Sequence, residues 1–232
     1  MPDSTIYAEG SGNADDAVLF QGDYDTDWAT TRGDATTVGI SRRSSDSTYT
    51  GAIYTRFSVN PRTGADSWNN RRVYMGFDVS GESGTVESAT VKVYMDNLGD
   101  TGNYARVVMV QATTLAGSTA DYGNCFSSGS TLGTLLSSYV EVSTTSGYHD
   151  FELNGDGISA LNAKIGSGIF EVCFMSNLLD YDNNDPNDGS GDYTQIAFTF
   201  AEKSGTLNDP KIEIDYESIA TTENATFFGS NF

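Results

Sequence analysis

The densest run of residues with chemistry in it spans 180–192: Asp180, Tyr181, Asp182, Asn183, Asn184, Asp185, Pro186, Asn187, Asp188, Gly189, Ser190, Gly191 and Asp192. Calcium takes six to eight hard oxygens in flexible geometry, and a turn of Asp and Asn supplies them. Asp180, Asp182 and Asn184 fall on the first three alternating ligand positions of an EF-hand loop. Asp185 stands where that loop needs its glycine, and Gly191 where it needs a bidentate Glu. The segment is therefore no EF-hand. It is either a calcium site drawn from Asp180, Asp182, Asn184, Asp185, Asp188 and Asp192, or a solvated acidic loop. A second acidic cluster, Asp15, Asp16, Asp23, Asp25 and Asp27, is the weaker candidate for a cation.

Catalytic chemistry finds less to stand on, and the sequence reads as that of a non-enzymatic protein. With 32 Asp and Glu residues, two carboxylates at a glycosidase separation arise somewhere by number alone, so such a pair carries no weight. The one histidine, His149, precedes Asp150 on an expected strand. Neighbours on a strand face opposite sides, so these two are not placed as a hydrogen-bonded dyad. The sequence holds no G-x-S-x-G elbow, phosphate-cradling glycine loop or Cys/His set at zinc spacing. Trp28, Trp68 and Tyr181 lie in polar segments. An exposed ring there would stack on a pyranose or anchor a protein contact, whereas core burial is the commoner fate of Trp. Arg32-Gly33-Asp34 matches an integrin-type tripeptide, a length that recurs by chance.

The elements that must position these residues are strands. Val73, Met75, Phe77 and Val79 alternate with Tyr74, Gly76 and Asp78. Val91, Val93 and Met95 alternate with Lys92 and Tyr94, and Ile212, Ile214 and Tyr216 with Lys211, Glu213 and Asp215. A period of two predicts half-buried strands with one wet face. The pattern predicts strands over 5–8, 17–20, 36–40, 52–59, 72–79, 86–96, 104–112, 139–142, 148–153, 169–176, 195–201 and 210–217. The continuously apolar run 107–110 fits a strand buried on both sides. Turn-forming Gly, Ser, Asn, Asp and Thr separate these segments, which favours an antiparallel sandwich or barrel over a βαβ fold. Only 154–165 breaks the rhythm. Ile158, Leu161 and Ile165 recur at helical spacing, Asn154 or Asp156 caps the start, and Gly166 follows the end. The expected organisation is one β-sandwich domain over 1–217 and a C-terminal tail over 218–232, whose Phe227, Phe228 and Phe232 either fray with it or dock on a partner subunit.

At 232 residues the chain buries roughly 70% of its unfolded surface without help from a disulfide or metal. Its 12 basic and 32 acidic residues give a net charge of −20. Such a surface repels nucleic acid and anionic membranes. It suits divalent cations, saline surroundings or plain solubility. Cys125 lies in a Gly/Ser loop and Cys173 in a strand, and both are expected reduced. The opening Met1-Pro2-Asp3-Ser4-Thr5 lacks the basic and apolar regions of a signal peptide.

Arg72-Val73-Tyr74-Met75-Gly76-Phe77-Asp78 is followed by Ser88-Ala89-Thr90-Val91-Lys92-Val93-Tyr94, then by Tyr148-His149-Asp150-Phe151-Glu152-Leu153 and its helix, and finally by Pro210-Lys211-Ile212-Glu213-Ile214-Asp215-Tyr216. In that order these segments resemble the DNRLRE-type β-sandwiches, jelly-roll relatives of carbohydrate-binding modules. The insertion at 113–138 and the acidic loop at 180–192 depart from that pattern. The resemblance implies an all-β antiparallel jelly-roll sandwich with one short helix. It also implies a non-enzymatic role on extracellular surfaces or on virions, as a phage head decoration or a fibre or adhesin subunit. The alternative is a calcium-stabilised carbohydrate-binding module. The expected partners are further copies of the chain, other virion proteins or a glycan, at a virion or extracellular surface.

Overall fold

A computed structural model describes residues 2–8, 16–24, 28–33, 39–43, 50–59, 66–100, 105–113, 119–128, 131–142, 145–185, 193–200 and 206–218. The strands are β1 (Ser4–Tyr7), β2 (Asp16–Tyr24), β3 (Gly39–Arg43), β4 (Thr50–Val59), β5 (Asp66–Asp78), β6 (Val86–Asp100) and β7 (Arg106–Gln111). They continue as β8 (Phe126–Ser128), β9 (Thr131–Leu132), β10 (Val140–Glu141), β11 (Gly147–Glu152), β12 (Ile169–Ser176), β13 (Tyr193–Thr199) and β14 (Lys211–Tyr216). Two α-helices, α1 (Trp28–Gly33) and α2 (Gly155–Asn162), complete the set together with short 3-10 and π turns. Every pairing is antiparallel. A single ladder runs β1-β14-β6-β13-β4-β5-β12-β7-β10, with β11 also on β6 and with β2 joining β5 to β3. The fold is the expected all-β, jelly-roll-like sandwich.

Along its length β6 changes its ladder partner. β14 pairs with the first half of β6, and β13 with its second half. Between them the register slips, with Gln195 opposite Gly99 and Ile196 opposite Asn97. The extra residue is a bulge, which bends and twists the strand. Gly99 sits there at φ +149°, a backbone conformation that a side chain disfavours.

The alternation read from the sequence fixes the inner faces. Val73, Met75 and Phe77 of β5 and Val91, Val93 and Met95 of β6 meet Phe170, Val172 and Phe174 of β12, and Ile212 and Ile214 of β14, in one buried cluster. Phe151, Phe174 and Phe198 pack ring to ring at 5.1 and 5.5 Å between successive centroids. Helix α2 plugs this core with Leu161. Asn154 caps it by accepting from Gly157 N at 2.8 Å, and Gly166 at φ +73° lies beyond its end. Of the two expected caps, Asn154 is the one used.

The expectation of one wet face fails on β5, and β12 and β7 are covered on the same side. Tyr74, Cys173, Met175, Val108 and Val110 point away from the core yet are buried in a second cluster. The inserted segment covers them: a 3-10 turn (Thr119–Cys125) leads into the β8–β9 hairpin, and Tyr122, Cys125, Phe126 and Leu132 pack downward. The continuously apolar Val107–Val110 run is thus buried on both sides, as its sequence requires. Among the described residues no helix is long and apolar enough to cross a membrane.

Candidate functional site

The outer layer holds a concentrated group of buried charge. Arg72, on the outward side of β5, is wholly buried. Its Nε and Nη2 donate to the two carboxylate oxygens of Asp180 at 2.7 and 2.8 Å. Nη2 also donates to Arg32 O at 2.9 Å, and Nη1 to Tyr122 O at 3.2 Å. The Tyr122 and Phe126 rings lie 4.2 and 4.9 Å from the guanidinium carbon, a cation–π roof. From α1, Arg32 Nε donates to Asp180 O at 2.6 Å and stands 3.3 Å from its carboxylate. Burial alone would push the Asp180 carboxyl up, but Arg72 and then Arg32 outweigh it and hold the group below its ordinary value. Tyr74 Oη donates to Tyr122 O at 2.7 Å and Asn70 Nδ2 to Tyr122 Oη at 2.9 Å. This network fastens the inserted segment to the sheet.

The network changes the reading of the acidic stretch. Residues 177–181 form one π turn (Asn177–Tyr181), in which Asp182 N donates to Asn177 O at 2.8 Å. Ser176 caps it by accepting from Leu179 N at 3.4 Å. The wide turn carries Leu179 and Asp180 inward and leaves Asp182 and Asn184 exposed. The EF-hand spacing of 180, 182 and 184 presumes one loop, and the π turn places Asp180 apart from Asp182 and Asn184. Asp180 is therefore no loop ligand, because both its oxygens serve arginines. Asp185 accepts from Trp68 Nε1 at 3.2 Å. Asp188 and Asp192 lie outside the described residues, as do Phe227, Phe228 and Phe232. Among the described residues no three His, Cys, Asp or Glu side chains converge as a metal site.

The aromatic candidates are also redistributed. Trp28 and Trp68 are 4% and 6% exposed, so neither presents a ring to a sugar. Tyr181 is half-buried against the second cluster. Arg32, of the integrin-type tripeptide, is buried on Asp180. His149 shares the inward side of β11 with Phe151, with Nδ1 3.0 Å from Gly147 O, while Asp150 faces outward to Lys92 Nζ at 2.8 Å. The two form no dyad.

A different set of rings reaches solvent. On the outer face of β1, β14, β6 and β11, Tyr94 lies directly across from Tyr148, and the rings meet edge to face at 5.7 Å. Lys211 Nζ lies 5.6 Å from the Tyr148 ring centroid, and Lys211 is paired in register with Tyr7. Tyr7 and Tyr148 remain 42% and 37% exposed. Tyr148 Oη donates to Leu207 O and Asp209 O at 3.1 and 2.9 Å, which fixes its ring over the sheet. Around the rings, Lys92 binds Asp150 and Glu213, and Lys211 binds Glu213 at 2.7 Å. Burial tends to raise the Glu213 carboxyl, but Lys211 and Lys92 pull it below its usual value. The Asp150 hydrogen bond raises Lys92. The face is thus aromatic and locally charge-balanced on a strongly acidic protein. Sequence reading missed it because Tyr7, Tyr94 and Tyr148 sit in separate strands. The only signal was that each tyrosine occupies the polar phase of its alternation.

No family model matches the chain, and no curated protein matches it.

Proposed function

We propose that the chain is a non-enzymatic surface protein of a virion or extracellular assembly, which recognises a neutral glycan through the outer face carrying Tyr7, Tyr94 and Tyr148. The observation that carries this reading is that face itself, with Tyr94 and Tyr148 packed edge to face across the β6–β11 pairing and Tyr7 exposed two strands away on β1. Tyrosine supplies broad contact area at low entropic cost, with a hydroxyl for sugar hydrogen bonds. The balanced Lys92, Lys211, Asp150 and Glu213 set adds polar groups at the rim. The net charge of −20 opposes acidic polysaccharides and so favours neutral ones. The DNRLRE-type resemblance points the same way.

Binding to a panel of neutral and acidic polysaccharides tests this, with Tyr7→Ala as the control. Retention of neutral glycans by the wild type and its loss in the variant is the expected result. No retention, or retention indifferent to Tyr7, overturns the reading.

A second reading has one observation in its favour. Leu207, whose carbonyl accepts from Tyr148, is 85% exposed beside the same face. An apolar side chain there suits a protein contact, including a second copy in a fibre or decoration lattice. Solution mass by light scattering separates the two. A stable oligomer that Leu207→Asp dissolves supports assembly, and a monomer leaves the face to the glycan.

A further inference from the structure

The chain contains two Asp-Pro bonds, Asp185–Pro186 and Asp209–Pro210, and their aspartates are placed differently. Asp185 Oδ1 is engaged, accepting from Trp68 Nε1 at 3.2 Å. Asp209, in the turn that leads into β14, is 5% exposed, and its Oδ1 is buried with no hydrogen-bond partner. A buried polar atom left without a partner costs free energy, and such an exception asks for a reason. The main-chain carbonyl of the same residue is held. Tyr148 Oη donates to it at 2.9 Å, the nearer of the two acceptors of that hydroxyl. Beyond the bond, Ala8 N donates to Pro210 O at 2.8 Å.

These contacts converge on one peptide bond. An aspartate oxygen reaches its own main-chain carbonyl carbon by closing a five-membered ring, so attacker and target are already joined. Tyr148 places a donor where negative charge develops on that carbonyl oxygen. Proline is bonded through a tertiary amide and departs as a basic secondary amine once its nitrogen takes a proton. Among the described residues, the titratable side chains on the elements around the turn are Tyr7 on β1, Lys92 and Tyr94 on β6, Tyr148 and Asp150 on β11, and Lys211 and Glu213 on β14. None offsets burial, which raises the Asp209 carboxyl above its ordinary value, so it keeps its proton to a higher pH than an exposed aspartate.

We propose that Asp209–Pro210 is a self-cleavage site, a single-turnover hydrolysis in which Asp209 attacks its own carbonyl and Tyr148 stabilises the oxyanion. One oxygen of the protonated carboxyl bonds to the main-chain carbonyl carbon. The carboxyl proton passes to Pro210 N, the C–N bond breaks, and a cyclic anhydride is left on Asp209. Water reaches the turn beside Leu207, which is exposed, and opens the anhydride. The products are a chain ending in Asp209 with two carboxyls and a chain beginning with the free amine of Pro210. Ladders to β1 and β6 hold the second piece in place, with Ile212 and Ile214 in the core. The nick thus breaks the covalent link without dismantling the sandwich, whatever the tyrosine face binds.

The test incubates the folded full chain at neutral and mildly acidic pH and follows its intact mass. Expected are two pieces, 1–209 and 210–232, whose masses sum to that of the chain plus one water, formed faster as pH falls. They should co-elute in size exclusion and part in denaturant, while Asp185–Pro186 stays whole in the same sample. Asp209→Ala should abolish cleavage, and Asp209→Glu, which needs a larger ring, should slow it. Tyr148→Phe should slow it about a hundredfold. An uncut chain, equal cutting at both Asp-Pro bonds, cutting that survives Asp209→Ala, or a rate indifferent to Tyr148→Phe each overturn the proposal. If Asp209→Ala does not fold, the ratio of the two Asp-Pro cuts in the wild type decides alone.

Discussion

Arg72 and Asp180, 108 residues apart, meet as a two-pronged ion pair with neither side chain exposed to solvent. Two desolvated charges hold together only when the geometry is good and the remaining donors are used. Here the guanidinium also binds the carbonyls of Arg32 and Tyr122, so the pair ties α1 and the inserted segment to β5.

Breaking this pair from one side should be costly. Asp180→Asn leaves a buried guanidinium unpaired, at an expected loss of about 3–5 kcal/mol. Arg72→Met should cost a similar amount, and the double variant Arg72→Met/Asp180→Leu far less than the sum. Urea denaturation of the four proteins checks this. The Asp180→Asn loss should be equal in calcium and in chelator. A loss seen only with calcium would return Asp180 to a metal site.

The same pair sets an acid limit. Asp180 has a lowered carboxyl in the folded state, so its stabilisation is complete above the unfolded value of about 3.9. It is lost as pH falls further, through the folded value. Stability measured against pH should drop in that acid window for the wild type and more shallowly for Asp180→Asn. Parallel curves would show that Asp180 does not contribute there.

On the tyrosine face, anchoring and contact should separate. Tyr148→Phe removes the hydroxyl that donates to Leu207 O and Asp209 O, and should cost about 0.5–1.5 kcal/mol of stability. Tyr7→Ala, at an exposed edge, should change stability by about 0.5 kcal/mol or less while abolishing glycan retention. Thermal melts beside the polysaccharide panel read both effects.

Two glycines of α2 should respond oppositely. A Cβ at Gly157 would lie 2.5 Å from Leu136 O and 3.1 Å from Leu153 Cβ, so Gly157→Ala must displace the helix and should cost about 1–3 kcal/mol. Gly155 has nothing within 4 Å, so Gly155→Ala should stabilise by about 0.4–1 kcal/mol. Equal effects would mean that α2 does not press on Leu136 and Leu153.

The strands, the inner faces and α2 with its Asn154 cap were legible because they depend on local periodicity. Side-chain direction on a strand alternates whatever surrounds it, so Val73, Met75 and Phe77 had to share a face. The expected positions of β12 and β14 follow that rule closely, whereas β5 starts at Asp66 rather than 72 and β6 runs on to Asp100 rather than 96. The sequence by itself also determined that Val107–Val110 is buried on both sides, since four successive apolar residues admit no wet face.

What lay beyond periodicity was decided only by tertiary structure. Tyr74 and Cys173 occupy outward positions, and they are buried only because a segment about fifty residues away in sequence lies over them. Asp180 looked like the start of a cation loop until one π turn and two arginines, neither near it in the chain, drew it inside. Tyr7, Tyr94 and Tyr148 became one face through register between β1, β14, β6 and β11. Which strands neighbour each other is a long-range fact that no single strand encodes.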